Sequence, residues 1–247
     1  MARHLHAKAA ISGRDSLPDR VAPDQGSGHV IKADLQSNLY FRAIGLYPKQ
    51  MKRAARPLRA ASVSSRIGVS ILAGGLSTRM GRDKAGLRLQ GKRLLQWVRG
   101  TALQTGCAVR VIRRDLLPRC GPLSGIHAAL STSQAEAELF LACDMPFIEA
   151  RWLRKLVGVR VGRGHAQAPA VFSVVRGVVG FPCLLRRSSL DVVQRQIVAG
   201  HYSLQQLAVA LDAERVQVPA TRERQFVNIN TAADWAAARQ WAKQLTG

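Results

Sequence analysis

IGVSILAGGLSTRMGRDKAGLRLQGKRLL, residues 67–95, decides how the rest of the chain is read. Its first six residues form a short apolar run of the kind that makes a buried strand. The run gives way to Gly74 and Gly75, where missing side chains permit a tight turn and a close approach of backbone to ligand. Ser77 and Thr78 keep the next residues polar, so loop amides are free to point at an anion. Arg79 and Lys84 add mobile positive charge to the same loop. The spelling is neither a G-x-x-x-x-G-K-[ST] loop nor G-x-G-x-x-G: Gly75 and Gly81 stand too far apart, and no GK[ST] follows.

On the C-terminal side of this loop, short apolar runs alternate with amphipathic segments. IGVSILA is followed by LRLQGKRLLQWVRGTALQ, then AVRVI, LSGIHAALSTS and ELFLAC. This reads as strand, helix, strand, helix, strand, the order of an α/β domain with a mostly parallel sheet. QAPAVFSV and GVVGFPCLLRR read as a further pair of strands. Helical stretches are expected near residues 188–199 and 203–211, a short strand at ERVQV, and a last helix from Thr231 to about Leu245. In such sheets ligands bind beyond the carboxyl ends of the strands, which is where the punctuated residues fall. Residues 1–65 differ from the remainder of the chain, mixing Gly, Ser, Pro, Arg and Lys with weak periodicity. They read as an extension, either a solvated tail or a basic docking arm, ahead of a domain over 66–247.

The chain has 247 residues, 47% of them hydrophobic, enough for one sizeable core. It holds no run approaching the roughly 20 apolar residues of a membrane-spanning helix. The N-terminus lacks the apolar run and cleavage site of a secretory signal, and its Asp residues count against a transit peptide, so a cytoplasmic location is expected. Cys107, Cys120, Cys143 and Cys183 include no CxxC pair and no His at zinc-ligand spacing, and read as reduced, core-filling thiols. The formal charge of +22 favours anionic partners in general. Nucleic acid is not the expected one: zinc-finger, homeodomain and RNA-recognition spellings are missing, and aromatic residues make up only 5%.

Taken as a whole, LAGGLSTRMGRDKAGLRLQGKRLL resembles the opening signature of the molybdenum cofactor guanylyltransferases, within the wider group of sugar-phosphate-type nucleotidyltransferases. Related cytidylyltransferases tend to carry LAAG, whereas this chain has Leu72-Ala73-Gly74-Gly75. Three later segments agree in order. Asp115-Leu116-Leu117-Pro118 with Gly121-Pro122-Leu123-Ser124-Gly125-Ile126 is similar to the family's D-x-x-P…GPLxGI. Cys143-Asp144-Met145-Pro146 closes the apolar run ELFLAC, and Asn228-Ile229-Asn230-Thr231 resembles its NINTP element, with Ala232 where proline is usual. Individually each has a plainer reading: Asp115 as a turn cap, Asp144 as an Asx-turn residue, Asn228 and Asn230 as backbone partners at a strand end.

The resemblance implies a three-layer, Rossmann-like sheet flanked by helices, of nucleotidyltransferase type. It implies transfer of GMP from GTP to the terminal phosphate of molybdopterin, the Mo cofactor, with pyrophosphate leaving and Mg2+ required. Leu72, Ala73, Gly74, Gly75, Lys84, Asp115 and Asp144 would bind nucleotide, with Arg79 and Lys84 catalytic through charge neutralisation. Asp144, helped by Asp115, would hold the metal, and Asn228 and Asn230 would lie on the acceptor side. A molybdoenzyme or its chaperone is the recipient such a family would serve. The chain departs from the family between AVRVI and Asp115, where only Arg113 and Arg114 stand in place of a longer segment that carries a polar residue near the base. That shortening keeps two alternatives open: a cytidylyl- or other sugar-phosphate-type nucleotidyltransferase, and a relative that binds nucleotide or cofactor without turnover.

Overall fold

The computed structural model describes residues 67–74, 87–113, 120–161 and 168–246. β1 (Ile67–Leu72) is followed by a small hairpin, β2 (Arg88–Leu89) and β3 (Lys92–Arg93), and then by α1 (Leu94–Leu103). β4 (Ala108–Ile112), α2 (Pro122–Thr132), β5 (Ala137–Ala142) and α3 (Ala150–Val161) come next. β6 (Ala170–Val175) and β7 (Val178–Arg186) form a hairpin, followed by α4 (Leu190–Val198), α5 (Leu204–Ala210), β8 (Glu214–Gln217) and α6 (Ala232–Thr246).

Six of these strands make one sheet in the order β4-β1-β5-β7-β6-β8. β1 pairs in parallel with both β4 and β5, and β6 with β8. β7 alone runs against its neighbours β5 and β6, so five strands end on the same edge. β1, β5 and β6 are buried on both faces, as an α/β sheet requires, while the flanking β4 and β8 are half-buried to exposed. Ile67, Val69, Ile71, Leu139 and Leu141 face a core closed by Val98 and Ala102 of α1 and by Trp152, Leu153 and Leu156 of α3. The alternate residues, Ser70 and Glu138 among them, face α2. No described helix is long and apolar enough to cross a membrane.

Two expectations need correction. LRLQGKRLLQWVRGTALQ is not one helix: α1 begins only at Leu94, and the residues before it fold into the β2–β3 hairpin. Gln90 and Gly91 both sit at positive φ, 48° and 76°, which forms a two-residue hairpin turn and which a helix excludes. α3 is a helix the sequence pattern did not announce. Its stripe is legible once the fold is known, because Trp152, Leu153 and Leu156 recur at helical spacing and all face the core. Trp152 also donates its indole N–H to Ser173 Oγ at 2.9 Å, fixing α3 against β6.

Candidate active site

The parallel strands carry their functional residues to a common edge. β1 ends at Leu72, level with Ile112 of β4 on one side and Ala142 of β5 on the other. Backbone pairing continues just past the strand ends: Ala73 N–H donates to Ile112 O at 2.8 Å, and Cys143 N–H donates to Leu72 O at 3.1 Å. Ala73 and Gly74 therefore leave the sheet between Arg113 and Asp144. Gly74 is exposed at the start of the loop, and Ala73 half-buried.

α2 packs against the end of β1, and its GPLSGI sequence has a local reason. Pro122 opens the helix, where its missing N–H is no loss. A Cβ at Gly125 would stand only 3.1 Å from Leu72 Cδ2; glycine lets the helix lie close against the end of β1. The other end of α2 is tied down by Arg110 of β4, which donates to Thr132 Oγ1 at 2.9 Å and Ala129 O at 2.6 Å. The same guanidinium meets Glu138 at 3.0 Å and Ser70 Oγ at 3.0 Å. His127 lies buried within α2, with its Nε2 3.3 Å from Gln194 Nε2 of α4, and burial lowers its pKa below the ordinary value. That is a structural role.

Asp144 lies two residues beyond the end of β5 and is half-buried. Its carbonyl accepts from Ile229 N–H at 2.9 Å, which pins the Asn228–Asn230 segment beside it. Ile229 is fully buried with Leu89, Leu94, Ala238 and Ala242, while Asn228 and Asn230 on either side are exposed. The segment is also held from its far end. Asp234 Oδ2 accepts from the backbone N–H of Asn230 and Thr231, and Thr231 Oγ1 accepts from Asp234 N–H, a reciprocal cap on α6. The sequence reading missed this cap, although T-x-x-D is its spelling.

The structure thus brings together Leu72, Ala73, Gly74, Asp144, Asn228 and Asn230 at one edge of the sheet. Gly75, Arg79, Lys84 and Asp115 lie outside the described residues. Among the described residues no group of three His, Cys, Asp or Glu side chains gathers into an all-protein metal cage. Cys107, Cys120, Cys143 and Cys183 are free thiols, and burial pushes Cys183 well up from its ordinary range, as befits core filling.

A glycine-ended first strand, with a carboxylate one strand over and a polar segment locked beside it, is the architecture of an α/β enzyme that handles phosphorylated ligands at its strand ends. Residues 69–218 match the family described as the MobA-like NTP transferase domain. A probable molybdenum cofactor guanylyltransferase from Opitutus terrae is 32% identical over 197 residues, covering 69% of this chain and 94% of that one. A molybdenum cofactor guanylyltransferase from Xanthomonas euvesicatoria is 30% identical, covering 67% and 90%. Among solved structures, molybdopterin-guanine dinucleotide biosynthesis protein A from Archaeoglobus fulgidus shares the fold, with a TM-score of 0.56 at 24% identity over 72% of this chain and 99% of that one. The chain belongs to the MobA-like NTP transferase family and is a nucleotidyltransferase.

Proposed function

We propose that the enzyme transfers GMP from GTP to the terminal phosphate of molybdopterin, releasing pyrophosphate. The observation that carries this reading is the juxtaposition of the Leu72–Gly74 strand end, Asp144 and the Asn228–Asn230 segment, joined by the Ile229–Asp144 hydrogen bond. The names of the two bacterial relatives support the choice of acceptor and base.

The chemistry asks little covalent work of the protein. An acceptor phosphate is already ionised at neutral pH, so no general base is needed, and positioning with charge neutralisation dominates. The Leu72–Gly74 backbone receives the nucleotide at the strand end, and Asn228 and Asn230 orient the acceptor. Arg79 and Lys84 neutralise the triphosphate and the departing pyrophosphate. Asp144, with Asp115, would hold Mg2+. Asp144, half-buried just past the end of β5, suits that ion: magnesium is commonly bound through one or two carboxylates, completing its shell with phosphate oxygens and water. When bound, it supplies neutralisation of phosphate charge.

The test is pyrophosphate release from GTP and from CTP, offered in parallel in the presence of magnesium and molybdenum cofactor. Release with GTP is expected. Release with CTP alone keeps the reaction type and overturns the base, and no release with either nucleotide by folded protein overturns the proposed activity. Asp144→Ala should lower kcat by several orders of magnitude with an unchanged melting temperature; ordinary turnover in that variant removes Asp144 from the metal site.

A further inference from the structure

We propose that Arg113 reads the base of the nucleotide donor, its guanidinium donating to O6 and N7 of guanine. The inference rests on the nucleotidyl-transfer reading of the site and adds to it the residue that sets base choice.

The argument begins with the two neighbours of β1. On the β5 side the strand end is occupied: Asp144 follows Cys143, and its carbonyl is taken by Ile229 of the acceptor-side segment. On the other side stands only β4, which is the outer strand of the sheet among the described residues. A nucleotide with its phosphates beside Gly74 and Asp144 directs its base away from the Ile229 side, toward the end of β4. Arg113 is the first residue beyond that end. The Ala73–Ile112 hydrogen bond of 2.8 Å sets it alongside the Ala73–Gly74 turn.

Two arginines, Arg110 within β4 and Arg113 just beyond it, have opposite fates. Arg110 is spent on the protein, bonded to Ser70, Thr132, Ala129 and Glu138. Arg113 is exposed and makes no hydrogen bond or ion pair with a described residue. The residues before it, Val111 and Ile112, offer no polar side chain. A guanidinium presents a planar fork of donors, which matches the paired O6 and N7 acceptors of guanine. The same fork meets an amino donor at N6 of adenine and at N4 of cytosine, so it selects against both.

The experiment measures competitive binding of GTP, 7-deaza-GTP, ATP and CTP against a fluorescent GTP analogue, with kcat/KM for pyrophosphate release alongside, in the full chain and in Arg113→Ala and Arg113→Lys. Arg113→Ala should weaken GTP by about tenfold or more while leaving CTP and ATP within about twofold, and the penalty for 7-deaza-GTP should vanish in that variant. Arg113→Lys, a single-point donor, should fall between. A guanine preference and a 7-deaza penalty that survive intact in Arg113→Ala overturn the inference. The binding arm stands without turnover: if no nucleotide is turned over but guanine preference is lost with Arg113, the reaction proposed above fails and the base-reading role holds.

Discussion

Glu138 shows how much a single side chain carries in this molecule. It sits on a central strand with 2% of its side chain exposed, yet every donor around it is matched. Ser70 donates to it at 2.8 Å, Ser133 at 2.5 Å and Arg110 at 3.0 Å. Removing one partner of a buried ion pair costs about 3–5 kcal/mol. Arg110 remains 32% exposed and regains water, which favours the lower end of that range. Glu138→Ala should therefore lose about 3 kcal/mol, read from urea unfolding, and Glu138→Gln clearly less. His127 makes a second residue-scale case. Burial holds its folded pKa below the ordinary 6.5, so the unfolded chain takes up the proton first as pH falls. Stability present at neutral pH is then lost progressively below about pH 6.5. His127→Gln should flatten that part of the profile, and unfolding midpoints compared at about pH 7.5 and about pH 5.5 check it.

At the scale of elements, the acceptor-side segment depends on a helix end. Thr231 and Asp234 cap α6 reciprocally, and the same carboxylate fixes the amide of Asn230. Losing such a cap costs about 1 kcal/mol. Thr231→Ala should lower stability by that amount and raise KM for the acceptor more than KM for the nucleotide, measured in steady-state assays. The β2–β3 hairpin is hidden in the sequence because the Gln90–Gly91 turn lies beside a segment with helical spacing; the local turn geometry overrides the pattern. α3 is hidden for a different reason. Its apolar stripe is interrupted by Arg154, Lys155 and Gly158, and its place is secured by contacts distant in sequence, such as the Trp152–Ser173 bond and the edge-on packing of Trp152 with Phe226.

At the scale of the whole molecule, the family match begins at residue 69 and the sheet at Ile67. A chain of residues 66–247 is expected to fold and to keep its kcat, with thermal melting and pyrophosphate release as the checks; loss of activity would assign residues 1–65 a part in the reaction. Much of this molecule was legible without its structure. The strand–helix alternation, the glycine turn after β1, Asp144 at the end of ELFLAC and the Asn pair are local patterns, because a buried strand, a tight turn and a strand terminus each impose their own residue types over a few positions. Strand order is not local. The tertiary structure alone set β4 outermost among the described strands, turned β7 against its neighbours and tied Ile229 to Asp144. It alone divided Arg110 of β4, bonded to Glu138 and α2, from Arg113, left exposed just beyond the strand end. Those outcomes depend on which residues far apart in the chain bury their surface against each other, and a pattern read along the chain carries no record of that pairing.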